Sequence, residues 1–587
     1  MKDILNLTFP EIQEVIRSRE SSESPPYNVL IYRNIMLEPI VPYLKYELLS
    51  IGLNPTITIG EYDNVLQETI LNSECNLNTT TNLVLVFLQM ETLSSALYSN
   101  ILKLNKAEIE DEVNRIKEYI QSVIENIRNS TNAPIIFYGF PNPVYSKLGI
   151  LESQIGFETS IYQQINNFIR SFNEKSVYII DANTLMSQIG YSNYFDKRYW
   201  HIGKAPFKKN ALIGISSEIK KIVRALNGKS KKCLVLDCDN TLWGGIVGED
   251  GVEGIKLSKN YPGSSFYAFQ KEILSFYDRG IILALCSKNN EKDVFEVLHN
   301  HDDMLIKEEH IATHRINWQD KASNIREIAE ELNIGLDSLV FVDDSNLEIE
   351  LVNLELPEVQ TIHLDSKKAI YYKDILAKCG FFDSLSFSEE DKVRGKMYKS
   401  EVIRKKNTKS IINIENYLQS LDMKMIINEC DKFSIPRVSQ LTQRTNQFNL
   451  TTKRYSESEI KALTEDDNYN VIYFQLEDKF GGYGTIGVCI LEKSEKNYRI
   501  DTLLMSCRVL GRGVEKTFMN EVMNFCAKNL GKELTSRYIR TRKNEQVENL
   551  FDNLEFDIVS TDKNYKKYRK NIEKVEYTSH IKVINKL

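Results

Sequence analysis

The stretch Leu234–Gly251, LVLDCDNTLWGGIVGEDG, holds the residues of this chain best suited to chemistry. An apolar run of strand composition ends there in two carboxylates, Asp237 and Asp239. Side chains two apart on an extended chain point the same way, so both acids are expected to face one pocket at the strand's carboxyl end. Two anions held side by side are costly without a cation between them. Mg²⁺ is the expected ion, with a phosphoryl group as the other guest.

Three further segments would have to position the rest of such a site. The apolar run Ile281–Leu285 reads as a strand and delivers Cys286-Ser287-Lys288-Asn289 at its end. Trp318-Gln319-Asp320-Lys321 opens a helical pattern over Lys321–Leu332, with Ile325, Ile328, Ala329 and Leu332 on one face. Leu339–Val342 is again strand-like and ends in Asp343-Asp344. Strands alternating with helices predict parallel βαβ units, whose ligands sit beyond the carboxyl ends of the strands. Acids, a hydroxyl, an amine and more acids would then converge. That is a phosphoryl-transfer set.

The order of these groups resembles the four motifs of the haloacid dehalogenase (HAD) superfamily. On that resemblance Asp237 is the nucleophile toward phosphorus and Asp239 the general acid/base. Ser287 would hydrogen-bond the phosphoryl oxygens and Lys321 neutralise their charge. Asp343 and Asp344, with Asp237 and Asp239, would hold Mg²⁺. WGGIVGEDG, CSKNN, NWQDK and FVDDSN further resemble the FkbH-like branch, subfamily IIIC. Its members pair the HAD domain with an N-terminal SGNH-hydrolase-like region and a C-terminal acetyltransferase-like (GNAT) region. Ser345-Asn346 departs from the Asn-Pro expected after the paired acids, a difference of turn more than of metal site. The short, glycine-rich Trp243–Gly251 reads as a hairpin flap, which leaves room for a bulky or protein-borne substrate.

A length of 587 residues exceeds one core and implies about three domains, all α/β. The expected division is 1–225 SGNH-like with a doubly wound parallel sheet, 230–382 HAD-like, and 410–572 GNAT-like. The net charge of −7 is mixed along the chain and gives no reason to expect nucleic-acid binding. Nine cysteines without CxxC spacing fit a reduced, cytoplasmic setting. MKDILNLTFPEIQE lacks the apolar core of a signal peptide, and runs such as Leu83–Leu88 fall short of the roughly 20 residues of a membrane helix.

In the first region Val29–Arg33, Thr56–Ile59, Leu83–Leu88, Ile135–Tyr138 and Val177–Ile180 are strand-length apolar runs, with amphipathic stretches such as Ala107–Arg128 between them. The SGNH fold implies a serine just after the first strand and a late Asp-x-x-His. Here that strand runs into Tyr32-Arg33-Asn34-Ile35-Met36, and Asp196 and His201 have the wrong spacing. A non-catalytic docking or assembly domain is expected. Asn227–Lys232 reads as a linker, and the charged stretch Ser386–Lys409 as an exposed connecting helix.

The third region carries Arg508-Val-Leu-Gly511-Arg512-Gly513 between a strand-like run, Ile500–Met505, and a helical pattern, Val514–Leu530. Glycines there let backbone N–H groups approach a pyrophosphate at a helix amino terminus. The loop resembles the R-x-x-G-x-G loop with which GNAT enzymes hold acyl-CoA. Lys543-Asn544 and Leu550–Phe556 resemble the ending of that fold, so Arg508, Gly511, Gly513 and Asn544 are the expected cofactor contacts. Acyl transfer and mere binding of a phosphopantetheine arm remain equal alternatives. TNQFNLTT (Thr445–Thr452) and DKFGGYG (Asp478–Gly484) are polar loops that would suit the lining of a thiol-ester channel.

The FkbH-like resemblance implies loading of a D-glyceryl group from 1,3-bisphosphoglycerate onto the phosphopantetheine thiol of an acyl carrier protein, with loss of both phosphates, in polyketide or related biosynthesis. An enzyme thiolate beside Mg²⁺ would be Cys238 ahead of Cys286, unless the carrier's own thiol attacks. Two other functions stay open: a phosphatase of another small phosphorylated metabolite, and a non-catalytic carrier-docking scaffold. His299, His301, Asp302, Asp303, His310 and His314 cluster in sequence but read as a solvated loop rather than a transition-metal site. Lys566–Lys570 reads as an exposed basic strand.

Overall fold

The computed structural model describes residues 4–19, 25–75, 80–408, 418–479, 481–495, 497–541 and 543–587. Phe480 and the start of the expected third region, 410–417, lie outside the described residues. The chain forms two compact units: residues 1–224 with 457–459, and 225–456 with 460–587.

The first unit is built on five parallel strands, β1 (Pro26–Arg33), β2 (Asn54–Tyr62), β3 (Leu83–Phe87), β4 (Ile135–Tyr138) and β5 (Val177–Ile180). Their order is β2-β1-β3-β4-β5, a doubly wound arrangement. Every residue of β3 and β4 is buried, as expected for strands covered on both faces, which therefore read as continuous apolar runs. Helix α1 (Lys106–Ser130) starts with a capping box, Asn105 with Glu108, and buries Val113, Ile116, Ile120, Val123 and Ile127 at helical spacing. At the end of β1 the buried Arg33 donates to Gly60 O, Ile35 O and Glu38. Asp196 accepts the Tyr199 N–H at 3.0 Å as a helix cap, while His201 is exposed.

The second unit carries two sheets. The first comprises β6 (Cys233–Leu236), β7 (Ile282–Ser287), β8 (Ile311–Ile316), β9 (Leu339–Asp343) and β10 (Gln360–His363), all parallel, in the order β10-β9-β6-β7-β8. Leu234 and Leu236 enter one core layer, Cys233 and Val235 the other. The order reverses at β6, so the crevice for a ligand lies beyond the carboxyl ends of β6, β7 and β9. Around it stand α2 (Val247–Gly254), α3 (Gly263–Asp278), α4 (Lys321–Leu332) and α5 (Asn346–Glu355).

Helix α6 (Arg394–Thr408) differs from the exposed connector expected of so charged a stretch. Tyr398 and Val402 are buried in the second core layer of this sheet. Glu401 and Arg404 are buried too, because they pair with Arg512 and Asp478 of the third region. Charge marks a surface only where no partner is folded against it.

The other sheet has eight strands: β11 (Lys424–Glu429), β12 (Tyr469–Asp478), β13 (Gly481–Ser494), β14 (Asn497–Met505), β15 (Glu533–Ile539), β16 (Asp557–Thr561), β17 (Tyr565–Asn571) and β18 (Lys582–Asn585). Their order is β16-β17-β15-β14-β13-β12-β11-β18, flanked by α7 (Ile435–Arg444) and α8 (Val514–Lys528). Strands β14 and β15 run parallel over Asn497–Arg499 and Glu533–Thr535, then separate. Residues 448–450 fill the opening. Met505 N donates to Phe448 O, Leu450 N to Leu503 O and Ile539 N to Leu450 O, at 2.8–3.1 Å. The TNQFNLTT segment thus ties the sheet together at residues 448–450, while residues 445–448 line a cavity. Among the described residues no helix is long and apolar enough to cross a membrane.

Candidate active site

Asp237 follows β6 directly, and its N–H continues the ladder to Val342 O of β9. Lys321, the first residue of α4, is set by Asp320, whose carboxylate caps the helix at Ser323 N. Its ammonium lies 2.8 Å from Asp237 Oδ1 and 2.5 Å from Asp343 Oδ2. Burial works against that charge, but Asp237 and Asp343 outweigh it and raise the lysine above its ordinary range. Asp343 is fully buried; burial, then the charge of Asp237, push it up to about 7 despite Lys321. The same two causes push Asp344 up to about 6.

Asp237, Asp343 and Asp344 bring carboxylate oxygens within 4.8 Å of one another, and among the described residues no other such group of metal-binding side chains occurs. Three carboxylates face one lysine, an excess of two negative charges that a divalent cation would balance. An all-oxygen donor set selects a hard ion of the Mg²⁺ class. The residues fit the expected metal.

Asp239 is not part of that carboxylate group. Strand β6 ends at Leu236, so strand alternation does not carry through to Asp239, which bridges to Trp243 instead. Its carboxylate accepts from Trp243 Nε1 at 2.8 Å, Val247 N at 3.1 Å and Asn289 Nδ2 at 2.7 Å. Burial raises its pKa. Trp243 and Asn289 are therefore site residues that strand and motif reasoning left without a role. Their signal was present, since Asn289 lies two residues beyond Ser287 on the same loop.

Gly244 and Lys256 exchange both backbone hydrogen bonds, so the flap is a one-pair hairpin whose tip is the helix α2. Gln270 of α3 holds its base, donating to Leu242 O and accepting from Leu305 N and Ile306 N. Ser287 is buried at the end of β7, beside the Cys238 thiol. Lys288 pairs with Glu348 at 2.6 Å. Ser345 caps α5 and donates its N–H to Asp343 Oδ1, which gives the unexpected Ser-Asn pair a local purpose.

Neither cysteine is prepared for nucleophilic attack. Cys238 and Cys286 are fully buried, and burial pushes both thiols well above their ordinary range. Burial disfavours the expected Cys238 thiolate. The histidines go to separate partners: His299 to Glu308, His314 to Glu291, and His310 to Lys307 N.

In the third region Gly511 and Gly513 adopt positive φ, 75° and 73°, the conformation glycine tolerates best, and Gly513 caps α8. The chain itself lies on this loop. His580 Nε2 is 2.9 Å from Arg512 O, and Thr517 Oγ1 is 3.0 Å from Ser579 Oγ. Arg508 turns away, donating to Ser506 Oγ and Tyr483 O. Asn544 is fully buried and saturated: its amide donates to Asn449 O and Ile539 O, and its oxygen accepts from Thr541 N and Tyr538. It fastens the inserted 448–450 segment and has nothing left for a cofactor.

No family model matches this chain, and no curated protein does. Among solved structures it resembles the N-terminal part of the protein BF1531 from Bacteroides fragilis, containing a phosphatase domain complexed with Mg. The two share 26% identity and a TM-score of 0.58, over 64% of this chain and 99% of that one. The ribosomal-protein-S18-alanine N-acetyltransferase of Escherichia coli matches at 12% identity and TM-score 0.21, covering 26% of this chain and 96% of its own. A spermidine N-acetyltransferase from Vibrio cholerae, in complex with CoA and spermine, matches at 13% and 0.21, over 25% and 96%. The chain is a multi-domain α/β protein.

Proposed function

We propose that this chain is a Mg²⁺-dependent, HAD-type phosphohydrolase. The observation that supports it best is the meeting of Asp237, Asp343 and Asp344 around Lys321 at the carboxyl ends of β6 and β9. The similarity to a protein whose phosphatase domain was crystallised with Mg adds weight. When bound, Mg²⁺ offsets negative charge on the phosphoryl oxygens and on the carboxylates.

In this reading an oxygen of Asp237 attacks phosphorus and the ester P–O bond breaks. Asp239 gives its proton to the departing oxygen, and an aspartyl phosphate remains. Water then attacks that phosphorus; Asp239 takes its proton, and phosphate leaves with Asp237 regenerated. Lys321 and Ser287 steady the charge that develops on the equatorial oxygens. Trp243, Val247 N–H and Asn289 hold Asp239 toward the flap side of the site.

The substrate we propose is 1,3-bisphosphoglycerate, its D-glyceryl group passing to the phosphopantetheine thiol of an acyl carrier protein. Since Cys238 and Cys286 are buried, the carrier thiol itself is the sulfur nucleophile. Its C–S bond forms as the acyl phosphate C–O bond breaks, the thiol proton leaving with that phosphate, and the 3-phosphate is the ester hydrolysed at Asp237. Incubation with 1,3-bisphosphoglycerate, Mg²⁺ and a holo carrier is the test. Phosphate release with a glyceryl mass gain on the carrier supports the full reading. Phosphate alone reduces it to a phosphatase of small metabolites, and neither product leaves a docking scaffold.

A further inference from the structure

A cavity of about 740 Å³ opens in the second unit, beside Lys232 and Ser338, the residues that precede β6 and β9. It thus lies at the amino end of the parallel sheet whose carboxyl end carries the aspartates. Its other wall comes from α6, α7, the 445–448 segment and the end of β14. Gly511 and Gly513 do not line it.

The wall is strongly cationic. Eight lysines and arginines line the cavity against three acids, Asp337, Glu358 and Asp383. Lys543 pairs with Asp337, and most of the surplus lies on the far wall. There, Arg394, Arg437 and Arg444 share two carboxylates lying behind them, with Arg508 beside them. Asp391 takes Arg394 and Arg444, and Glu390 takes Arg437 at 2.6 Å. Among the described residues no carboxylate pairs with Arg508, which is buried. The Arg437 Nε is buried without a hydrogen-bond partner there. Burial, then the nearby charge of Arg394 and Arg508, push Arg437 down to about 10; burial and Arg394 do the same to Arg444. Like charges crowded out of water are unstable unless something anionic joins them.

We propose that this cavity binds a ligand carrying a phosphomonoester or pyrophosphate group, held by the guanidiniums of Arg394, Arg437, Arg444 and Arg508. Two surplus positive charges match a phosphoryl dianion, and guanidinium forks suit its oxygens. Phe448 and Met505 give an apolar seat for the carbon body. The site is separate from the proposed phosphatase centre and does not rest on it.

Titration calorimetry on the full chain in EDTA tests this, with inorganic phosphate, inorganic pyrophosphate and coenzyme A as probes. Saturable binding of at least one is expected, falling with added salt. Arg437→Gln and Arg508→Gln should each weaken it about tenfold or more. Both should leave hydrolysis of a generic phosphate ester unchanged. Arg508→Gln strands no carboxylate, so it keeps the test available if Arg437→Gln misfolds. A clear preference for coenzyme A assigns the site to pantetheine-bearing ligands. Equal binding of pyrophosphate assigns it to small phosphorylated molecules. No binding by the wild type, or undiminished binding by a folded Arg508→Gln protein, overturns the proposal.

Discussion

Lys321 and Asp343 form a buried ion pair, with the ammonium 2.5 Å from Asp343 Oδ2 and neither group more than 5% exposed. The same ammonium reaches Asp237. One cation thus joins the end of β9 to the end of β6 from the first turn of α4. Stability and chemistry are coupled at this point.

Lys321→Met should therefore cost about 3 kcal/mol or more of unfolding free energy in EDTA, because it leaves buried carboxylates unpaired. Mg²⁺ should recover part of that loss while turnover stays abolished. Urea unfolding with and without Mg²⁺ measures the first effect and phosphate release the second. Equal destabilisation under both conditions would contradict cation binding at these carboxylates.

Asn289→Ala removes the bond to Asp239 Oδ2 without touching the carboxylate group around Lys321. Asn289 is a positioning residue, so kcat should fall on the order of tenfold with KM nearly constant. Asn289→Asp places a like charge beside Asp239 and should raise its pKa further. A shift of the alkaline limb of the kcat profile to higher pH in that variant would separate positioning from simple loss of fold.

Cys238→Ala should leave turnover within about twofold of wild type, since its thiol is buried and held neutral. The packing loss should be about 1 kcal/mol. Mass spectrometry of the wild type during turnover should show no glyceryl adduct on this residue. An adduct that vanishes in the variant would restore the enzyme-thiolate route.

Asp391 is fully buried between Arg394 and Arg444. Burial alone would raise its pKa, but those guanidiniums and the Gln440 amide hold it well below the usual carboxylate range. Its folded pKa is depressed, so its contribution is complete above the unfolded value of about 4. That contribution is lost as pH falls from there toward the folded value. Asp391→Asn should cost about 3 kcal/mol at pH 7, and the gap to wild type should narrow steadily below pH about 4. Thermal unfolding across pH 3–7 checks the sign.

Local pattern alone placed the strands of the first parallel sheet and β6, β7 and β9 of the second, with the residues at their ends, whereas β8, which carries His314, was read as loop. Apolar runs such as Leu83–Leu88, Ile281–Leu285 and Leu339–Val342 lie in or overlap β3, β7 and β9, because burial on both faces leaves a continuous local signal. The spacing from Asp237 to Ser287, Lys321 and Asp343 was legible for the same reason. Each group closes a strand or opens a helix, and parallel topology does the gathering.

Tertiary structure alone decided the rest. Asp239 turned to Trp243 and Asn289 because the strand had already ended at Leu236, a change that alternation cannot register. Charged α6 became a buried clamp because its partners, Asp478 and Arg512, lie 74 and 111 residues away in sequence. Asn544 was claimed by the inserted 448–450 segment, and four scattered arginines were brought around one cavity. Periodicity reports whether a residue is buried. Which distant group it meets is decided only when the sheets pack.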